Sequence, residues 1–268
     1  YAYYQLWRDC GIYIMPSQLK RFDDATHFIT KRYDRVDGEK VHKLSLMAMA
    51  GDTRSYEDAF DVVRRLKLPY ESTEQLFRQM TFNVLAGNID DHARNFSFLM
   101  DKDGNWSMSP AYDMVYSIDP DTFETQKGQF MSINGKDNDI SAKDIVIVGH
   151  EREIKNPGEI ISNTLDSLLS LPVYLKQLDV SERTYKLIMK ELNKKYASLG
   201  FAKPFSLPSI ENLNHLQQTI GKKDKRILES LIISTSDIET LEKNGHLVID
   251  EHYYRLTEAY DDKSMVPT

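Results

Sequence analysis

The run Phe82-Asn83-Val84-Leu85-Ala86-Gly87-Asn88-Ile89-Asp90-Asp91-His92-Ala93-Arg94-Asn95-Phe96-Ser97-Phe98-Leu99 decides how the rest of the chain is read. Upstream, Leu76, Phe77, Met80, Val84 and Leu85 recur at helical spacing, which predicts a helix from Thr73 to Leu85 behind a Ser72-Thr73 cap. The pattern breaks at Gly87. Downstream, Phe96 to Met100 alternates weakly, Asp103-Gly104 signals a tight turn, and Trp106-Ser107-Met108 reads as a returning strand. The segment Gly87 to Asn95 is therefore expected as a loop between a helix and a hairpin, and it carries Asp90, His92 and Asn95 as D-x-H-x-x-N.

Phosphoryl transfer asks for a carboxylate that orients the attacking hydroxyl and an amide oxygen that helps hold a metal on the phosphates, at Asp-x-x-x-x-Asn spacing in kinase catalytic loops. Asp90 and Asn95 stand at that spacing. A second carboxylate should follow for magnesium, which prefers hard oxygen ligands and few protein contacts. Asp113, in Ser109-Pro110-Ala111-Tyr112-Asp113-Met114, lies just past the expected hairpin, whose open end would bring Asn95 and Asp113 together. An isolated Asp-Asp-His in a loop is ordinarily only solvated. Asn95 and Asp113 give this one its meaning. Asp91 is expected to be a salt-bridge or solvent partner, and Tyr112 and Tyr116 to be packing residues.

Working outward, Tyr3 to Cys10 has helical spacing and stops at Gly11, while Thr26 to Tyr33 is β-branched and aromatic and precedes an Asp37-Gly38 turn signal. A helical pattern is read from His42, with Leu44, Met47 and Ala48 on one face, and another from Tyr56 to Leu66. Polar sequence from Tyr116 to Asn138 gives way to helical runs at Ala142 to Val148, Pro157 to Leu171 and Ser181 to Ala197. Gly200, Pro204 and Pro208 read as a linker. Beyond it come short helical patterns at Ile210 to Ile220, Arg226 to Ile233 and Ile238 to Asn244, then a hairpin within His246 to Thr257. The expected organisation is a mostly α, α+β body over residues 1–200 and a helical extension over 201–268 that caps it or, less simply, forms a winged helix.

Composition narrows the class. With 268 residues, 28% charged and a mean hydropathy of -0.50, the chain reads as water-soluble, with no apolar run that could span a membrane. Its 34 basic against 41 acidic residues give a net charge of -7, which argues against direct binding to a phosphate backbone. The single cysteine, Cys10, is expected to be a small apolar filler near a helix end rather than a reactive thiol, and a reducing cytoplasm is the simplest setting. His150, His215, His246 and His252 lack metal-ligand spacing, and Lys194, Lys195, Lys222, Lys223 and Lys225 read as solvated faces. Tyr1 stands where Met would begin a natural product, so a fragment, a processed product or the ordered part of something longer is expected.

The run from Phe82 to Leu99, followed by Met108-Ser109-Pro110-Ala111-Tyr112-Asp113, resembles the HipA family of kinases. Thr30-Lys31-Arg32-Tyr33-Asp34-Arg35 is similar to that family's hinge strand, and Ile133-Asn134-Gly135-Lys136 to a later family segment, so the resemblance covers roughly residues 1 to 195. It implies a protein-kinase-like helical C-lobe using ATP and Mg²⁺. Asp90 would be the catalytic base, Asn95 and Asp113 the metal ligands, and the backbone of Lys31 and Tyr33 the adenine-facing hinge. His92 would either touch the transferring phosphate or brace the loop. The family implies a serine or threonine of a protein as acceptor, a toxin role and a HipB-type DNA-binding antitoxin as partner. Arg94 stands where the family usually has lysine. No glycine-rich phosphate loop or Val-Ala-Ile-Lys-like strand precedes the hinge, so the ATP-clamping lysine would come from an N-terminal lobe on a longer chain or a separate subunit. Otherwise the chain would be a non-catalytic, antitoxin-binding pseudokinase. A small-molecule kinase with the same loop is the other reading.

Overall fold

The computed structural model describes residues 1–118 and 128–199 and, further on, strand residues 247–250 and 253–256. The chain forms two compact units, Tyr1–Pro204 and Phe205–Thr268. The first is α+β, a set of packed helices with small antiparallel sheets. Among the described residues no helix is long and apolar enough to cross a membrane.

At its centre lies α4 (Tyr70–Ala86), whose second half is buried from Leu76 through Ala86 except at Arg78. A helix so enclosed has almost no solvent face, which is why its apolar pattern is broad rather than a stripe. It starts three residues earlier than the sequence suggests. Pro69 caps it, with its carbonyl accepting from Ser72 N–H at 2.9 Å, so Ser72 and Thr73 lie inside the helix. Against α4 pack α3 (Tyr56–Arg65), α6 (Pro157–Leu168) and α8 (Glu182–Ser198). Helix α5 (Ala142–Glu151) packs on α6, and α1 (Ala2–Asp9) packs on α6 and α7 (Leu171–Gln177). The α5–α6 approach depends on Gly149, where a Cβ would lie 2.5 Å from Pro157 Cβ. The single run expected from Pro157 to Leu171 is thus two helices, α6 and α7.

Two hairpins follow α1. Strands β1 (Ser17–Phe22) and β2 (Ala25–Thr30) pair antiparallel, as do β3 (Arg35–Val36) and β4 (Glu39–Lys40). Between the second pair, Asp37 and Gly38 both have positive φ, 51° and 85°, as a two-residue hairpin turn requires. β1 was not anticipated, because Ser17–Phe22 is largely exposed and shows no buried alternation.

The helix expected from His42 is corrected. Residues His42–Ser45 form β5, which pairs with β6 (Ser97–Met100) in the register His42↔Met100 to Ser45↔Ser97. Helix α2 (Leu46–Ala50) begins only after Ser45, whose side chain caps it by accepting from Ala48 N–H. The buried residue there is Leu46, not Leu44, Met47 or Ala48. A waiting sheet edge outweighed a short helical periodicity. β7 (Trp106–Met108) completes the three-stranded sheet, its turn closed by the Asp101 carboxylate, which accepts from the Asp103 and Asn105 N–H groups at 2.8 Å each.

In the second unit, β8 (Leu247–Asp250) and β9 (Tyr253–Leu256) form an antiparallel hairpin inside the predicted span. The helical patterns read between Ile210 and Asn244 lie outside the described residues.

Candidate active site

The candidate loop begins where α4 ends. Gly87 takes the left-handed conformation (φ 74°, ψ 32°) and donates its N–H to the Asn83 carbonyl. A Cβ there would lie 2.9 Å from Ile118 Cδ1 and 3.1 Å from Leu192 Cδ2, so glycine is required twice over, by φ and by space. From Ile89 to Asn95 the chain then alternates: Ile89, Asp91, Ala93 and Asn95 are buried, Asp90 and Arg94 exposed, and His92 half-buried.

Both flanks of this loop are fastened. On one side Ser117 N–H donates to the Gly87 carbonyl at 3.0 Å, and Ser117 Oγ accepts from the N–H groups of Ile89 at 2.8 Å and Asp90 at 3.2 Å. On the other, Tyr112 OH donates to the Arg94 carbonyl at 2.7 Å and accepts from Ser97 Oγ, while Ser109 N–H donates to the Ser97 carbonyl at 2.9 Å. The segment 112–117 therefore runs along the loop, and the neighbour of Asp113 is tied to the neighbour of Asn95. Asp113 itself is exposed and has a positive φ of 58°, a strained setting that Asp tolerates better than most residues.

Within the loop, Asn95 Nδ2 donates to the Asp90 carbonyl at 3.0 Å and Asn95 N–H to the His92 carbonyl at 2.8 Å. The amide nitrogen is thereby spent inward, and none of the hydrogen bonds among the described residues uses Asn95 Oδ1. The Asp90 backbone is held at both its N–H and its carbonyl, but its side chain is 64% exposed. His92 Nε2 lies 3.8 Å from Asp90 Oδ1, beyond hydrogen-bond range. Its Nδ1 is buried with no hydrogen-bond partner, and its ring meets Phe130 edge-on at 5.7 Å.

Lys31 and Tyr33 lie just past β2. Lys31 N–H is already committed to the Pro16 carbonyl at 3.0 Å, which leaves its own carbonyl as the polar backbone group to offer. The Tyr33 ring stacks on Tyr112 with centroids 5.7 Å apart, and Lys43 Nζ lies over both rings, at 5.4 and 4.8 Å. Arg32 grips Asp34 through two hydrogen bonds, of 2.8 and 2.6 Å, and holds its carboxyl down at about 2.

The expectation for Asp91 is overturned. It is 0% exposed and accepts from Tyr56 OH at 2.6 Å, Gln129 Nε2 at 2.9 Å and the Met131 N–H at 3.1 Å. Burial pushes its carboxyl up to about 6 against those three hydrogen bonds and the pull of Lys195. Lys195 is likewise no solvated lysine: it donates to Gln129 Oε1 at 3.1 Å, and burial lowers its ammonium to about 8. Sequence reasoning also missed Ser117, Tyr56 and Gln129. The one available signal was the period-two placement of Ile89 and Ala93, which puts Asp91 on the inward side.

The later segment Ile133 to Lys136 is anchored by Asp144. That carboxylate closes a capping box with Ser141 at the start of α5 and accepts from Asn134 Nδ2 at 2.7 Å and Lys136 Nζ at 2.9 Å. Burial pushes it up, but the hydrogen bonds from Ser141, Asn134 and Lys136 outweigh that and hold it well below the usual carboxylate range. Cys10 is buried and its thiol is pushed up to about 12, chiefly by burial, which leaves it inert.

As a magnesium site, the donor set is one amide oxygen and one carboxylate. No group of three or more His, Cys, Asp or Glu side chains capable of holding a metal exists among the described residues. Two hard oxygens from protein suit Mg²⁺ when a nucleotide's phosphates and water supply the rest, and the Asn95–Asp113 pair fits that pattern.

A buried helix that delivers a pinned Asp–Asn loop to a hairpin, with a second Asp beyond it, defines the helical lobe of a protein-kinase-like fold. More narrowly, the chain belongs to the family of the HipA-like C-terminal domain, whose sequence model matches residues 1–197. It is similar to a curated protein from Sinorhizobium fredii named "Putative kinase Y4mE", with 27% identity over 124 residues, 40% of this chain and 29% of that protein. Among solved structures, HipA of Shewanella oneidensis MR-1, determined with HipB and operator DNA, aligns with a TM-score of 0.55 and 17% identity over 73% of this chain and 53% of that one. The Helicobacter pylori proinflammatory kinase CtkA aligns with a TM-score of 0.47 and 10% identity over 74% and 82% of the two chains. The chain thus spans less than a third of Y4mE and about half of the Shewanella HipA.

Proposed function

We propose that this chain carries the catalytic and metal-holding half of an ATP- and Mg²⁺-dependent kinase whose acceptor is a serine or threonine of a protein. The observation that carries the reading is the lacing of Asp90, Asn95 and Asp113 into one neighbourhood: Asn95 bonds the Asp90 backbone, and Tyr112 bonds the Arg94 backbone. Asp90, with a fixed backbone and an open carboxylate, aligns the acceptor hydroxyl and takes its proton. Asn95 Oδ1 and the Asp113 carboxylate would hold the cation, which would supply charge neutralisation at the transferring phosphates. His92, braced by Phe130, orders the loop and presents Nε2 beside Asp90. The Lys31 carbonyl and the Tyr33 backbone form the adenine-facing edge.

HipB is the partner of the Shewanella HipA, and a HipB-type DNA-binding antitoxin is the partner proposed for this family member. A toxin role in the cytoplasm follows from the same reading.

The test is phosphate transfer from ATP in the full-length form, with its N-terminal lobe. Asp90→Asn should lower turnover by about 10²–10⁴-fold, the usual contribution of a positioned base, while the melting temperature stays within a few degrees. Unchanged turnover would remove Asp90 from its role. Calorimetry that detected no Mg-ATP affinity even with the N-terminal lobe present would favour a non-catalytic, antitoxin-binding function instead.

A further inference from the structure

Directly behind Asp90 lies a buried polar chain that the proposed chemistry does not use. Asn88 Nδ2 donates to Asn83 Oδ1 at 3.0 Å, Asn83 Nδ2 to Tyr56 OH at 2.9 Å, and Tyr56 OH to Asp91 Oδ2 at 2.6 Å. Gln129 joins it from a separate segment, donating to Asp91 Oδ2 and to the Asn88 carbonyl while accepting from Lys195 of α8. The segment 129–131 is clamped to the loop twice more, by Phe130 N–H on the Ile89 carbonyl at 3.0 Å and Met131 N–H on Asp91 Oδ1 at 3.1 Å. Elements from three separate parts of the chain, α3, α4 and α8, thus converge on one carboxylate adjacent in sequence to Asp90.

Such an arrangement is costly unless every lone pair is used, because a buried carboxylate must be repaid by donors. A core that needed only volume would be served better by leucine. What a charged, acceptor-only group at this position supplies is direction. Its three donors fix the plane of the Asp91 carboxylate, and that fixes the peptide that Asp90 and Asp91 share. The Asp90 carbonyl is the acceptor for the Asn95 amide, so the orientation of Asn95 Oδ1 depends on the same peptide.

We infer that Asp91 is a positioning residue that sets the Asp90 backbone and, through it, the Asn95 amide, and that Lys195 on α8 acts on this loop through Gln129. A catalytic part for Asp90 rests on the proposed kinase function; the positioning of its backbone by Asp91 does not. The ionisable groups facing Asp91 are the Tyr56 phenol from α3 and the Lys195 ammonium from α8, the remaining neighbours being the amides of Gln129 and Met131. Losing the Asp91 charge would leave Met131 N–H and Gln129 Nε2 with a weaker acceptor, and the loop peptide would shift with it.

The experiment is an NMR titration of the full chain labelled with ¹⁵N at methionine and asparagine, followed from pH 5 to 8. The Met131 amide and the Asn95 side-chain amide should move with a shared midpoint near 6. Lys195→Met removes the cation that favours ionised Asp91, so both midpoints should rise together; Asp91→Asn should abolish the shared transition. An Asn95 amide that stays flat while Met131 titrates would overturn the positioning claim. Midpoints unmoved in Lys195→Met would overturn the α8 link, and that variant keeps the test decisive should Asp91→Asn fail to fold. No turnover is read, so failure of the kinase reading appears separately, in the Asp90→Asn assay.

Discussion

Asp91 and Lys195 carry their ionisable groups where water is scarce, and each contributes to stability in its own pH window. The folded pKa of Asp91, about 6, lies above its ordinary value of 3.8. The folded state therefore holds its proton more tightly: the contribution is fully present below about 4 and is lost as pH rises through 6. Lys195 is the mirror case. Its folded pKa, about 8, lies below 10.5, so its contribution is present above about 10.5 and is lost as pH falls through 8. Between about 6 and 8 both groups are ionised at a cost. Thermal melts of the wild type and Asp91→Asn should therefore diverge in favour of the wild type on going from pH 7 to 4.5. A difference between them that is constant with pH would mean that Asp91 does not titrate in this range. Asp144, held well below the usual carboxylate range, works the other way: its contribution is present above about 3.8 and fades only at lower pH, so the windows stay separate.

At the scale of elements, the junction between α4 and the loop is the most constrained point. Gly87→Ala combines a left-handed non-glycine residue with a Cβ pressed on Ile118 and Leu192, and should cost on the order of 2–4 kcal/mol. Chemical denaturation measures it, and a loss under 0.5 kcal/mol would mean that the junction relaxes freely. This junction was legible in sequence, because an apolar helical run ending in glycine has few other meanings. The β6–β7 hairpin was legible for a similar reason, with Asp103-Gly104 sitting in a turn that the Asp101 side chain closes. What was not legible was decided at a distance. His42–Ser45 reads as helix until β6 offers it an edge, and nothing near Lys195 announces that Gln129, 66 positions away, will draw its amine inward.

Across the whole first unit, the spacing of Asp90 and Asn95 was visible because only four local residues separate them, and the hairpin ties Tyr112, next to Asp113, to Arg94, next to Asn95. The buried support behind them was invisible because it draws on α3, α4, α8 and the 128–133 segment together. In the proposed function Asn95 and Asp113 face one cation. A crystal structure of the full-length form, N-terminal lobe included, with Mg²⁺ and a non-hydrolysable ATP analogue tests it most directly. The prediction is a single magnesium with Asn95 Oδ1 and an Asp113 carboxylate oxygen each at about 2.0–2.1 Å, the nucleotide's phosphates and water filling the remaining positions. A nucleotide bound with its metal on other side chains, or an Asp113 carboxylate turned away from Asn95, would contradict it.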